Sequence, residues 1–121
     1  LISYIMSKKS VIQLSEFNIT QKIIESLSNV CTRSVLFSIK NESKDVTQIS
    51  DELKISISTV YKTLSLLEDL ALAEVDHFVI SPEGKKIKLY RSRIGKVEIT
   101  LDGLEPVLNL YPNGDSFKSI S

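Results

Sequence analysis

The chain is poor in the side chains that carry most protein chemistry. Its 121 residues hold one cysteine, one histidine and no tryptophan. Cys31 alone cannot close an internal disulfide, so the chain does not read as a stapled secreted module, and a reducing, cytoplasmic setting is expected. No stretch approaches the ~18 to 20 apolar residues of a bilayer-spanning helix, which predicts no membrane partner. The apolar opening Leu1 to Met6 lacks a basic region before it and a small-residue cleavage site after it, so it is not expected to be a signal peptide. There is no glycine-rich phosphate loop and no set of nucleophile, base and orienting acid; the chain is expected to have no catalytic residues and not to be an enzyme. Ligands at metal-binding spacing are also missing, so neither a metal nor another cofactor is expected. Finally, neither sign of charge prevails, with Lys plus Arg at 15 and Asp plus Glu at 15. That balance argues against gripping a polyanion with the whole surface, and equally against an acidic solvating tail.

What is present is enough apolar residue, 42% of the chain, to bury the core of one domain. Between Leu14 and Val30, Phe17, Ile19, Ile23, Ile24, Leu27 and Val30 recur at three- and four-residue intervals, a helical period. A second helix follows over 32–40, with Val35, Leu36 and Ile39 on one face, and stops at the polar Asn41-Glu42-Ser43-Lys44. Thr47 offers a capping hydroxyl for a third helix of about two turns, carrying Ile49 and Leu53. Ser56 then caps a fourth helix, in which Val60, Leu64, Leu67 and Ala71 form a core stripe while Ser58, Thr59, Lys62 and Ser65 lie opposite.

Past Leu72 the period shortens to two. Residues 74–80 and 87–92 read as strands joined by the turn material 81–86, a hairpin, and 97–101 reads as a further strand. The apolar segment Leu104 to Tyr111 is either a short helix begun near Pro106 or an extended packing arm, and the chain from Pro112 onward reads as a tail. The expected organisation is an N-terminal arm over 1–13, a DNA-binding domain over 14–101, and a packing or dimerisation segment with its tail over 102–121. The expected fold class is mainly α with a small antiparallel β wing, a winged helix-turn-helix.

That element order places the fourth helix in a DNA major groove, which admits a helix and exposes base edges to its first turns. Ser58 and Thr59 donate and accept, Lys62 reaches a guanine edge or a phosphate, Tyr61 donates to phosphate, and Ile57 packs on a thymine methyl. Thr47, Gln48 and Ser56, at the starts of the third and fourth helices, complete the helical part of the expected surface. The hairpin supplies local charge that the overall balance conceals. From Lys85 to Lys96 there are six positive residues and no negative one, of which Lys85, Lys86, Lys88 and Arg91 are assigned to DNA, while residues 97–121 net minus three.

Ile24 to Asn29 with Thr32-Arg33, then Val46 to Leu53, and then the run Ser56-Ile57-Ser58-Thr59-Val60-Tyr61-Lys62-Thr63-Leu64-Ser65-Leu66-Leu67-Glu68 with the residues to Leu72, resemble the ArsR-type winged-helix transcriptional regulators. The likeness covers residues 20 to 93, and its most specific element is the Ser-x-Ser-Thr-Val block with the Leu-Leu-Glu behind it. Thr59 to Leu64 is also similar to the recognition helix of the ferric uptake regulators. The resemblance implies a homodimeric, cytoplasmic DNA-binding repressor or activator. Metal-sensing members of the family carry a cysteine pair near the recognition helix or a His and acid set on a C-terminal helix; this chain has neither, and its strand-like 97–101 stands where the family has a dimerisation helix.

Cys31 reads as a small half-buried residue. Asp76 and His77 are neighbours on a strand and are expected to point to opposite faces, which argues against a shared metal. The expected function is sequence-specific binding of double-stranded DNA as a homodimer. The alternative is a winged-helix protein-interaction module, kept open by the neutral balance and the acidic C-terminal quarter.

Overall fold

In the computed structural model, residues 12–14 and 17–114 are described. Four helices come first: α1 (Phe17–Ser28), α2 (Val30–Ser38), α3 (Val46–Leu53) and α4 (Ile57–Asp69). One residue separates α1 from α2. Asn29 ends the first helix by capping the second, its side-chain oxygen accepting from the Thr32 amide at 3.1 Å. Arg33 then reaches back and donates through Nη1 to the carbonyls of Leu27 and Ser28, two of the acceptors that a helix C-terminus leaves unpaired.

Helix α3 is capped earlier in the chain than its sequence suggests. Asp45, not Thr47, is the N-cap: its carboxylate accepts from the Gln48 amide at 2.8 Å while the Gln48 side chain accepts from the Asp45 amide at 2.9 Å. The reciprocal pair satisfies two helix-start donors at once, which a threonine inside the first turn cannot do. Lys54, left-handed at φ 58°, closes α3, and Ser56 then opens α4, as expected. Val60, Leu64 and Leu67 of α4 are buried. The helix stops at Asp69, and Ala71 turns out of it at φ 60°, only half-buried rather than a full member of the stripe.

Strands β2 (Ala73–Ile80) and β3 (Lys86–Ser92) form the expected antiparallel hairpin, closed by a turn in which Ser81 and Lys85 share a backbone hydrogen bond and Gly84 takes φ 83°. The loop after α2 joins this hairpin through a two-way backbone bridge between Lys44 and Tyr90.

The β portion is larger than the hairpin alone. β4 (Ile94–Thr100), β5 (Val107–Pro112) and β1 (Ile12–Leu14) make a second antiparallel sheet in the order β1-β5-β4. The chain is therefore α+β, where a mainly α chain is expected from sequence. Leu104 to Tyr111 takes its extended alternative, and Leu108 and Leu110 of β5 are fully buried in the same core as Ile23, Leu36, Ile49, Leu64 and Leu67. β5 is thus part of the hydrophobic core, whereas residues 102–105 before it are exposed. Residues 1–11 of the expected arm and 115–121 of the expected tail lie outside the described residues.

The tail reading fails at Asn113, which is buried. Its side-chain amide donates to the Lys40 carbonyl at 2.6 Å and the Ser92 carbonyl at 3.0 Å, and its own N–H donates to the Arg93 carbonyl. Ser92 donates from its backbone to the Ile39 carbonyl, so the end of α2, the link between the two sheets and the end of β5 meet at one polar joint. Among the described residues, no helix is long and apolar enough to cross a membrane.

Candidate nucleic-acid interface

The start of α4 presents two kinds of surface. Ser56, Ser58 and Thr59 form a cluster of exposed hydroxyls: the Ser56 oxygen accepts from the Thr59 amide at 3.2 Å, donates to the Thr59 hydroxyl at 2.8 Å and lies 3.2 Å from that of Ser58. Ile57, Tyr61 and Lys62 are exposed beside them. For Ser58, Tyr61, Lys62 and Ser65 this follows from the helical period, because burying Val60, Leu64 and Leu67 leaves those positions facing outward; Ile57 is exposed as the first residue of the helix.

A cleft of about 530 Å3 separates the beginnings of α3 and α4 from β3. It is lined by Asp45, Val46 and Thr47 at the start of α3, Tyr61 from α4, and Lys85, Lys86 and Lys88 from the hairpin, above Ile87 and Tyr90, and the Asp45 carboxylate there is engaged by the Gln48 amide. Five of the twelve residues expected to touch DNA are therefore brought together from three elements. Ser56, Ile57, Ser58, Thr59 and Lys62 form the adjoining exposed rim on α4, and Gln48 is exposed at the start of α3 with its carbonyl end engaged in the capping pair. Arg91 stands apart. It is half-buried, and its Nε donates to the Lys40 carbonyl at 3.1 Å, tying β3 to the end of α2. Arg93 is buried as well, with Glu74 at 3.8 Å. Of the six positive residues from 85 to 96, the three lysines at the hairpin tip are the ones exposed at this cleft.

Positive charge and apolar surface are interleaved on the hairpin. Register places Phe78 opposite Lys88 and Ile80 opposite Lys86, and the Lys86 ammonium sits 4.2 Å from the centre of the Phe78 ring. Phe78, Val79 and Ile80 are all exposed, Ile80 to 68%. This tip is the part of the surface that strand alternation conceals. The visible signal is three successive apolar residues directly before a turn, which a strand buried on one face does not need.

At the base of the hairpin, Asp76 and His77 meet after all, with His77 Nδ1 2.9 Å from the Asp76 carboxylate. A β-bulge between Val75 and His77 breaks the alternation that predicts opposite faces. Ser43 donates to the same carboxylate at 2.7 Å, and that hydrogen bond, with His77 and Arg91 near by, holds the Asp76 carboxyl below its ordinary range despite partial burial. Tyr90, on the cleft wall, has its phenol pushed up by burial. Among the described residues, no group of three His, Cys, Asp or Glu side chains is placed to hold a metal. No family model matches the chain, and no curated protein matches it.

Proposed function

We propose that this chain is a winged helix-turn-helix transcriptional regulator of the ArsR-like kind, cytoplasmic and homodimeric, which lays α4 in the major groove of double-stranded DNA and rests the β2–β3 hairpin on the backbone. The observation that carries the reading is the convergence of Thr47, Tyr61, Lys85, Lys86 and Lys88 on one cleft, with the hydroxyls of Ser56, Ser58 and Thr59 and the ammonium of Lys62 along its α4 rim. Cations on one wall and base-reading donors and acceptors on the other are what a groove bounded by phosphates demands. Helices α2, α3 and α4, the Lys44–Tyr90 bridge and the hairpin follow one another in the order that a winged helix uses.

In this reading Ser58, Thr59 and Lys62 face base edges, Ile57 packs on a thymine methyl, Thr47, Gln48 and Tyr61 donate to phosphate oxygens, and Ser56, whose hydroxyl donates to that of Thr59, orients it at the rim. Because the whole chain is neutral, non-specific affinity is modest and binding depends on one face. Selection of bound sequences from a random DNA pool tests the reading directly. Enrichment of a sequence with two spaced half-sites supports it, and no binding at low salt ends it.

One observation favours a second reading, a winged-helix module that docks a protein partner: the exposed Phe78, Val79 and Ile80 at the hairpin end. Purification with a stoichiometric protein partner, in a complex that resists salt and contains no nucleic acid, would establish it in place of the first.

A further inference from the structure

β4 is an edge strand: it pairs with β5 on one side, and among the described residues no strand pairs with its other side. The core face of this edge is apolar and open. Ile99 is 46% exposed, and with Val97 it overlooks a mainly apolar groove of about 300 Å3 whose far walls are Ile24 and Leu27 of α1 and Phe37 of α2, with Ser28 and Arg33 also lining it. The outer face carries one charge of each sign, Lys96 and Glu98. Both are exposed and held in place, since the Tyr111 phenol donates to Glu98 at 2.5 Å and the Lys96 ammonium lies 4.7 Å from the centre of the Tyr111 ring and 3.6 Å from Glu98.

We propose that the outer edge of β4 pairs antiparallel with β4 of a second copy of this chain, joining the two sheets across a two-fold axis at Val97. The dimer invoked under the proposed function thereby acquires a specific interface, and this step rests on that reading only for the dimer's purpose. The register follows from charge. A two-fold axis normal to a sheet keeps each face on its own side, so it must pass through a residue position, and facing residues are equally distant from it. Centred on Val97, the axis sets Lys96 opposite Glu98 of the second copy, and Glu98 opposite its Lys96. Centred one residue earlier it opposes Lys96 to Lys96, and one residue later Glu98 to Glu98. Opposite charges directly across a ladder stabilise and like charges destabilise, so one register is selected against its neighbours. On the core face the same register sets Val97 against Val97 of the second copy and covers the groove beside Phe37. The interactions with Tyr111 hold the two charges ready, which lowers the entropy cost of pairing.

The test is the association state of the full chain without DNA, by sedimentation equilibrium over a wide concentration range, for the unsubstituted chain and for Lys96→Glu, Glu98→Lys and the double exchange. Both positions are exposed, and far-ultraviolet circular dichroism verifies that each variant is folded. The expected result is a dimer at micromolar concentration that either single reversal weakens by about tenfold or more and the double exchange restores. A chain that stays monomeric overturns the proposal, as does a dimer indifferent to both reversals or not restored by the exchange. A dimer with these properties that binds no DNA sustains the interface while the DNA reading fails.

Discussion

The side-chain amide of Asn113 donates to the carbonyl of Lys40, 73 residues earlier in the chain, at 2.6 Å. The same amide donates to Ser92, and the two bonds pin the last strand to the end of α2 and to the link between the sheets. The Lys40 carbonyl also accepts from Arg91 Nε at 3.1 Å, so β3 and the residue after β5 converge on one acceptor at the end of α2.

Asn113→Ala is expected to lower stability by about 1 to 3 kcal/mol, the cost of removing two hydrogen bonds from a buried joint. Asn113→Asp should be worse at neutral pH, because it aims a carboxylate at two carbonyl oxygens, and should recover part of the loss in acid as it protonates. Urea unfolding of both variants at neutral and acid pH checks the order.

Leu108→Ala is expected to cost about 2 to 5 kcal/mol, as for other fully buried leucines. A loss well below that range in urea unfolding would mean that β5 does not share the core of the helices.

The capping of α3 gives a sharper comparison. Asp45→Ala removes the acceptor of the Gln48 amide and is expected to destabilise by about 0.5 to 2 kcal/mol, whereas Thr47→Ala should be nearly neutral for stability. Equal thermal shifts for the two variants would contradict the assignment of Asp45 as the cap.

Asp76 predicts a particular response to acid. Its folded carboxyl lies below the ordinary value of 3.8, so its contribution to stability is fully present above that value and is lost as pH falls through the lower folded value. Ser43→Ala removes the largest cause of the shift. The urea midpoint of that variant should therefore change less than that of the unsubstituted chain between neutral pH and the acid range below 3.8.

For DNA, Lys62→Ala should weaken specific binding by about 1 to 3 kcal/mol and relax preference at one base position. Lys85→Ala, Lys86→Ala and Lys88→Ala should weaken binding to all sequences alike. Each of these lysines that neutralises a phosphate contributes about one to the slope of log affinity against log salt, so its removal should flatten the slope by that amount. Fluorescence anisotropy across a salt series separates the two patterns. Arg91→Ala, by contrast, should act mainly on stability, since the Arg91 Nε donates to a backbone carbonyl inside the chain.

Much of this architecture is written locally. The spacing of Val60, Leu64 and Leu67 makes α4 a helix with one buried side and at the same time turns Ser58, Tyr61 and Lys62 outward, because a period of 3.6 residues leaves no other choice. Ser56 starts that helix by its own hydroxyl, and alternation marks the hairpin strands. These features depend on residues a few positions apart, so they survive without knowledge of the rest of the chain.

Partners distant in the chain settled the remainder. Leu104 to Tyr111 is apolar enough for a helix or an arm, and its part from Val107 onward became a strand because β4 and Ile12–Leu14 offer it ladders on both sides. Asn113 has the composition of a tail and is buried because Lys40 and Ser92 present carbonyls to it. Arg91 and Lys88 look alike in a row of positive residues. The carbonyl of Lys40 draws Arg91 inward while Lys88 stays at the cleft, and a bulge at Val75 swings Asp76 and His77 onto one side. Helix period and caps act over one or two turns and are local, whereas hydrogen-bond satisfaction and burial at a joint depend on what lies across it.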